Sequence, residues 1–124
     1  MTDIGMKYLK HIRAIKLKSC VNITNLSMHY LRRVERINLN NCAQITDSGL
    51  MCLKNIKNIT LTSCTNITDE GLSYLTHVYE LKLRDIKITG RGLRNLEFLI
   101  DLIIEFCYKL SSEQIKELQI SFAH

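Results

Sequence analysis

Two periods organise the apolar positions of this chain. Five short stretches alternate apolar with polar residues, setting Ile15 and Leu17, Ile37 and Leu39, Ile59 and Leu61, Leu81 and Leu83, and Leu102 and Ile104 on one face. Period-two alternation predicts strands with one buried side. Ahead of each stretch, apolar residues recur at helical phases. Met6, Leu26, Leu50, Leu72, Leu93 and Ile115 make one column, and Leu9, Leu31, Leu53, Leu75, Leu96 and Leu118 the next. Each unit therefore reads as a turn, a short helix and a strand.

The unit itself repeats. Thr2, Thr24, Thr46, Thr68, Thr89 and Ser111 open successive copies, four of 22 residues and one of 21. The boundaries fall at 2–23, 24–45, 46–67, 68–88 and 89–110, with a half unit at 111–124 acting as a cap. These account for every residue but Met1, leaving no linker and no second domain. One unit cannot bury its own apolar face, whereas stacked units merge their columns into one core. The expected fold is a single α/β solenoid, a right-handed β-α superhelix with a parallel sheet on its concave face and short helices on its convex face. Strands about 4.8 Å apart make a ladder roughly 20–25 Å long.

Local signals fit that plan. Thr24, Thr46 and Thr68 are placed to cap their helices, each hydroxyl accepting a backbone N–H. Asp47 and Asp69 follow in the first turn, where the helix dipole favours a carboxylate. Ser111 and Gln114 have capping-box spacing. A helix near 113–118, followed by Phe122, should close the C-terminal end. At the other end the strand of Ile15 and Leu17 has an edge with no preceding unit. Three accounts compete: a partner or second copy pairs there, an N-terminal part of a larger protein has been lost, or the helix with Met1 and Met6 covers it. Self-association or an obligate partner is the favoured one.

Composition agrees with a packed repeat. The chain is 46% hydrophobic and 23% charged, with 18 Leu, 16 Ile and neither proline nor tryptophan. Unbroken apolar runs are too short for a membrane span. The net charge of +5 is unevenly placed: residues 1–67 hold ten Lys/Arg against three Asp/Glu, and residues 68–124 hold seven against nine. A solvated basic face explains this better than a basic docking surface. Nucleic-acid binding through Lys16, Lys18 and Arg36 ranks last among the functional readings.

The five cysteines also follow the repeat. Cys20, Cys42, Cys64 and Cys107 each lie 18 residues after their unit's Thr, while Cys52 shares a helical column with Tyr8, Tyr30 and Tyr74. No C-x-x-C occurs, and Asp3 with no apolar run after it argues against a secretory signal. Reduced thiols in cytoplasm or nucleus are therefore expected. A ladder sets sulfurs in a line, whereas zinc needs ligands converging tetrahedrally. Structural thiols and no metal are the expectation.

The pattern from Leu61 to Leu75, L-x-L-x-x-C-x-x-I-T-D-x-G-L-x-x-L, resembles the cysteine-containing leucine-rich repeat. That subclass is found in F-box substrate receptors and in proteins similar to the antagonist of mitotic exit. The resemblance implies the solenoid fold and a protein partner. These units run to 22 residues where the family's run to about 26, so each helix should be shortened. The fourth unit has Ile86 in the cysteine's place and drops one residue. Such receptors carry a separate adaptor-docking domain before their repeats, and no segment here matches it. The resemblance therefore implies at most their substrate-recognition half.

No catalytic constellation emerges, and no cofactor is implied. His11 and His77 lie three units apart, His29 is on another helix, and His124 is terminal. Gly90 and Gly92 fail the dinucleotide fingerprint because Asn95 stands where a third glycine belongs. A non-enzyme is expected.

Function then falls to the outward residues of the strands. The first row is Ala14, Arg36, Asn58, Glu80 and Asp101; the second is Lys16, Asn38, Thr60, Lys82 and Ile103. The third is Lys18, Asn40, Thr62, Arg84 and Glu105, with Phe106 next to it. This face grades from basic to acidic and apolar, and Ile103 with Phe106 is its sharpest hot-spot candidate. The competing account has the C-terminal segment folding over both.

Overall fold

The computed structural model describes residues 2–122. One parallel sheet runs in chain order through β1 (Ala14–Lys18), β2 (Arg36–Asn40), β3 (Asn58–Thr62), β4 (Glu80–Arg84) and β5 (Asp101–Glu105). Short helices alternate with the strands: α1 (Asp3–Met6), α2 (Asn25–Tyr30), α3 (Asp47–Met51), α4 (Asp69–Ser73) and, after β5, α5 (Ser112–Ser121). A 3-10 turn at Lys7–Leu9 extends α1, and another at Arg91–Leu93 stands where the fifth helix is expected. The architecture is the α/β repeat solenoid.

Register sets the core. Ile15 pairs with Ile37, Ile37 with Ile59, Ile59 with Leu81 and Leu81 with Leu102, while Leu17, Leu39, Leu61, Leu83 and Ile104 form the parallel column. Ile23, Ile45, Ile67, Ile88 and Leu110 add a buried column at the turn after each strand. A third, of Val34, Ile56, Val78 and Leu99, lies between helix and strand.

Hydrogen bonds between repeats align the helix starts. Asp3 accepts the Thr24 N–H at 2.8 Å and the Thr24 hydroxyl at 2.6 Å, and also the buried Ser27 hydroxyl. Asn25 accepts the Thr46 N–H at 2.9 Å and donates its amide to Thr46 Oγ1 at 2.8 Å. Asp47 accepts the Thr68 N–H at 2.8 Å and its hydroxyl at 2.6 Å. Asp69 accepts the Thr89 N–H at 3.0 Å, its hydroxyl at 2.9 Å and the Gly90 N–H at 3.1 Å. Each acidic or amide side chain thus satisfies the orphan donors of the next repeat. A Cβ on Gly49 would overlap Asn25 Oδ1, and one on Gly71 would overlap Asp47 Oδ1. The T-D-x-G signature is therefore a clasp: Thr donates backward, Asp accepts forward, and Gly makes room.

Burial opposes the charge on Asp3 and Asp69, but donors outweigh it. Ser27 and Thr24 hold the Asp3 carboxyl below the usual 3.8, and Thr89, Gly92 and Gly90 do the same for Asp69.

Three expectations need correction. Leu26 is 49% exposed, and Met28 fills its column instead, four residues after Thr24 as Leu50 is after Thr46. Of the threonine caps, only Thr24 accepts a backbone N–H of its own helix, from Leu26; Thr46 and Thr68 spend their hydroxyls on the clasp. The fifth helix is a 3-10 turn because the preceding turn is one residue short. Ile23, Ile45, Ile67 and Leu110 donate their N–H three residues back, to Cys20, Cys42, Cys64 and Cys107, but Ile88 donates two back, to Ile86. The chain then passes through Gly90 at φ 92°, a conformation that suits glycine.

The ends differ. Ser111 accepts from the Gln114 N–H and Gln114 accepts from Ser111, completing the capping box of α5. Phe122 packs, half-buried, against the core. The outer edge of β1 pairs with no strand among the described residues. Met6 is buried within α1, which packs beside α2 in the helix row. Met1, the other residue expected to cover that edge, lies outside the described residues.

Candidate functional site: the open sheet face

Pairing between strands assembles the three outward rows as side-by-side ladders. Lys16 neighbours Asn38, then Thr60, Lys82 and Ile103; Lys18 neighbours Asn40, Thr62, Arg84 and Glu105. Lys16, Lys18, Arg36, Lys82, Arg84 and Glu105 are exposed, while Asn38, Asn40, Thr60, Thr62 and Ile103 are half-buried. The face thus presents cations at β1 and β2, short amides and hydroxyls in the middle, and mixed charge with an apolar centre at β4 and β5.

Phe106 stands out on backbone grounds. The residue after each strand, Ser19, Asn41, Ser63, Asp85 and Phe106, has φ between 51° and 55°. The turn imposes this, and the first four positions donate their N–H to the next strand's last carbonyl. Asn and Asp tolerate that conformation, and Ser63 donates its hydroxyl to Asp85 of the next repeat at 2.8 Å; a bulky side chain there is an outlier. Phe106 is nevertheless 52% exposed, its ring 4.8 Å below the Arg84 guanidinium carbon. The C-terminal helix does not bury it: α5 contacts β5, and a groove lined by Leu110, Leu118 and Phe122 separates it from the Arg91–Leu93 turn.

More apolar surface lies at the same end of the solenoid. Tyr108 is exposed beyond Phe106. On the rim leading into β4 and β5, Phe98 stacks on His77 at 5.7 Å and meets Tyr79 edge-on at 6.2 Å, with Ile100 exposed nearby in sequence. Sequence reasoning missed this rim. Its signal was a change within two repeat columns: Arg33 and Asn55 give way to His77 and Phe98, and Glu35 and Lys57 to Tyr79 and Ile100.

The cysteines form a line of donors. Cys42 Sγ donates to Leu17 O at 3.6 Å, Cys64 to Leu39 O at 3.6 Å and Cys107 to Leu83 O at 4.0 Å, each reaching the strand of an earlier repeat. Burial pushes all three thiols above the ordinary 9.0, which opposes nucleophilic chemistry. Cys52 is half-buried and directs its sulfur to Ser48 O at 3.9 Å. Among the described residues, no group of three or more His, Cys, Asp or Glu could hold a metal, and no helix is long and apolar enough to cross a membrane.

A family model described as the leucine-rich repeat matches this chain at residues 30–54 and 57–76. The two matches run from the last residue of α2 through α4 and support reading the chain as a leucine-rich-repeat protein. No curated protein matches its sequence. Leucine-rich repeats are generally a non-catalytic fold that mediates protein–protein interaction.

Proposed function

We propose that this chain is a non-catalytic module that captures a protein partner on its open sheet face, anchored at the β4–β5 end. The observation that carries the reading is Phe106, a large aromatic held exposed in a left-handed conformation that the turn imposes and a bulky side chain disfavours. Half-buried Ile103 and exposed Arg84 extend the anchor, and the polar rows from Lys16 to Thr62 supply the rim. On the finer level, the module serves as the recognition part of a ubiquitin-ligase-like system, a role suggested by its resemblance to F-box receptor repeats.

The test is affinity capture from native extract, with wild type beside the Ile103→Ser/Phe106→Ser variant. A stoichiometric protein lost by the folded variant supports the reading; equal capture by both moves the interface elsewhere. Recovery of a cullin or its adaptor tests the ubiquitin role separately.

The outer edge of β1 favours a second reading, a structural subunit docked edge to edge. Ile15, its strand's half-buried member, supports it, since its counterparts in β2 to β5 are buried. Light scattering on the isolated protein separates the two: a monodisperse monomer argues for a free receptor, and dimers or aggregates for an obligate subunit.

A further inference from the structure

The basic half of the molecule holds a feature that the sheet face does not explain. Between the helix rows of the first two repeats lies a 230 Å³ concavity lined by Lys10, His11, Tyr30, Arg32 and Arg33. Arg32 Nη1 donates to His29 O at 2.9 Å, which ties its guanidinium to the end of α2. Tyr30 forms a half-buried wall, and the other four are exposed. Among the described residues, no carboxylate lines the concavity. Residues 1–46 contain two acids, and one of them, Asp3, is committed to Thr24 and Ser27. The other, Glu35, is not among the lining residues.

We infer that this concavity receives a phosphomonoester carried by the protein partner, as a phosphorylated side chain. The inference rests on the protein-binding reading above and adds to it the chemistry of a second contact. Lys10, Arg32 and Arg33 bring three permanent positive charges, and with His11 and Tyr30 every lining side chain can donate a hydrogen bond. A carboxylate offers one charge and two oxygens, too little to neutralise or satisfy them. A phosphomonoester brings about −1.5 to −2 charge and three terminal oxygens, and guanidinium forks match it in paired geometry. Nucleic acid spreads single charges along a track, whereas these cations converge at one place. In sequence, exposed Arg13 leads into β1 and Arg36 opens β2, with exposed Glu35 between Arg33 and Arg36.

The experiment titrates the whole chain with a five-residue glycine peptide bearing a central phosphoserine, and with its serine and glutamate counterparts. Calorimetry gives affinity and amide shifts give location. The expected result is binding of the phosphopeptide at least about tenfold tighter than the glutamate peptide, with shifts centred on Lys10, His11, Tyr30, Arg32 and Arg33. Arg32→Ser/Arg33→Ser should lose that binding, whereas Arg91→Ser/Arg94→Ser, of equal charge change on exposed arginines, should keep it within about twofold. Equal affinity for the glutamate peptide, or equal loss in both variants, overturns the proposal. Tighter binding of an oligouridine with shifts along all the basic residues also overturns it, in favour of nucleic acid. The Ile103→Ser/Phe106→Ser capture experiment is independent of these arms, so each reading can fail alone.

Discussion

Asp69 takes both the backbone N–H and the hydroxyl of Thr89, so the residue that starts the fourth helix also fixes where the next begins. Asp69 is only 6% exposed, and truncating it strands the Thr89 and Gly90 donors. Asp69→Ala should cost about 2–3 kcal/mol, the combined scale of a lost cap and unsatisfied buried donors. Asp69→Asn should cost under about 1 kcal/mol, because Asn25 already shows an amide in the equivalent role against Thr46. Urea midpoints for the two variants check this.

The clasp makes stability acid-sensitive, with a definite sign. Asp3 and Asp69 titrate lower when folded than the ordinary 3.8. On acidification the unfolded chain therefore binds protons first, and the stabilisation, complete well above 3.8, is lost as pH falls through that value and below. Urea midpoints at pH 7, 4 and 3 should decline, and Asp69→Asn should decline less than wild type. Equal slopes would remove Asp69 from the account.

Gly71→Ala should destabilise, against the usual rule. In an exposed helix the change gains about 1 kcal/mol. Here the new methyl meets Asp47 Oδ1 and the Asp47 backbone, and must displace the Thr68 clasp. Overlap of this kind costs about 1–3 kcal/mol, so the net effect should be a lower thermal midpoint in calorimetry.

Phe106→Asn should leave the protein equally or more stable. Relief of the left-handed strain is worth about 1–2 kcal/mol, against about 0.5–1 kcal/mol for the exposed contact with Arg84. Asn41 occupies the equivalent place at φ 55°. A rise in thermal midpoint together with loss of partner capture identifies Phe106 as retained for binding. A fall means that its ring contributes more to the fold than its exposure suggests.

Thiol labelling should divide the cysteines by position. Cys42, Cys64 and Cys107 are buried, with burial raising their titration, while Cys20 and Cys52 are half-buried. Iodoacetamide at pH 8, followed by peptide mapping, should modify Cys20 and Cys52 first. Early modification of Cys64 would show that the turn it closes opens readily.

The sheet was legible because Ile15 and Leu17 recur at fixed spacing, and period-two alternation leaves one orientation for each side chain. The helix row was less so. In the second unit Leu26 and Met28 both fit a helical stripe, and only strict counting from Thr24 selects Met28. The clasp was hidden for another reason: Asp47 and Thr68 are 21 residues apart, and the obvious role for a threonine at a helix start is local. The candidate site was half legible. Ile103 and Phe106 could be placed on the open face by counting, but the positive φ of Phe106 is imposed by the turn. The run Ser19, Asn41, Ser63, Asp85 was its only trace.

The inter-repeat bonds also have a direction. The backbone N–H groups of Thr24, Thr46, Thr68 and Thr89 all donate toward the preceding unit, and the series stops at Gly90, which has no side chain to receive Ser111. Deleting from the two ends is therefore unequal. Removal of the first unit strips acceptors from Thr24 and from buried Ser27, whereas removal of α5 interrupts no clasp at all. The molecule has a grain, like split timber, and at Gly90 that grain runs out, leaving α5 to be held by the packing of Leu118 and Phe122.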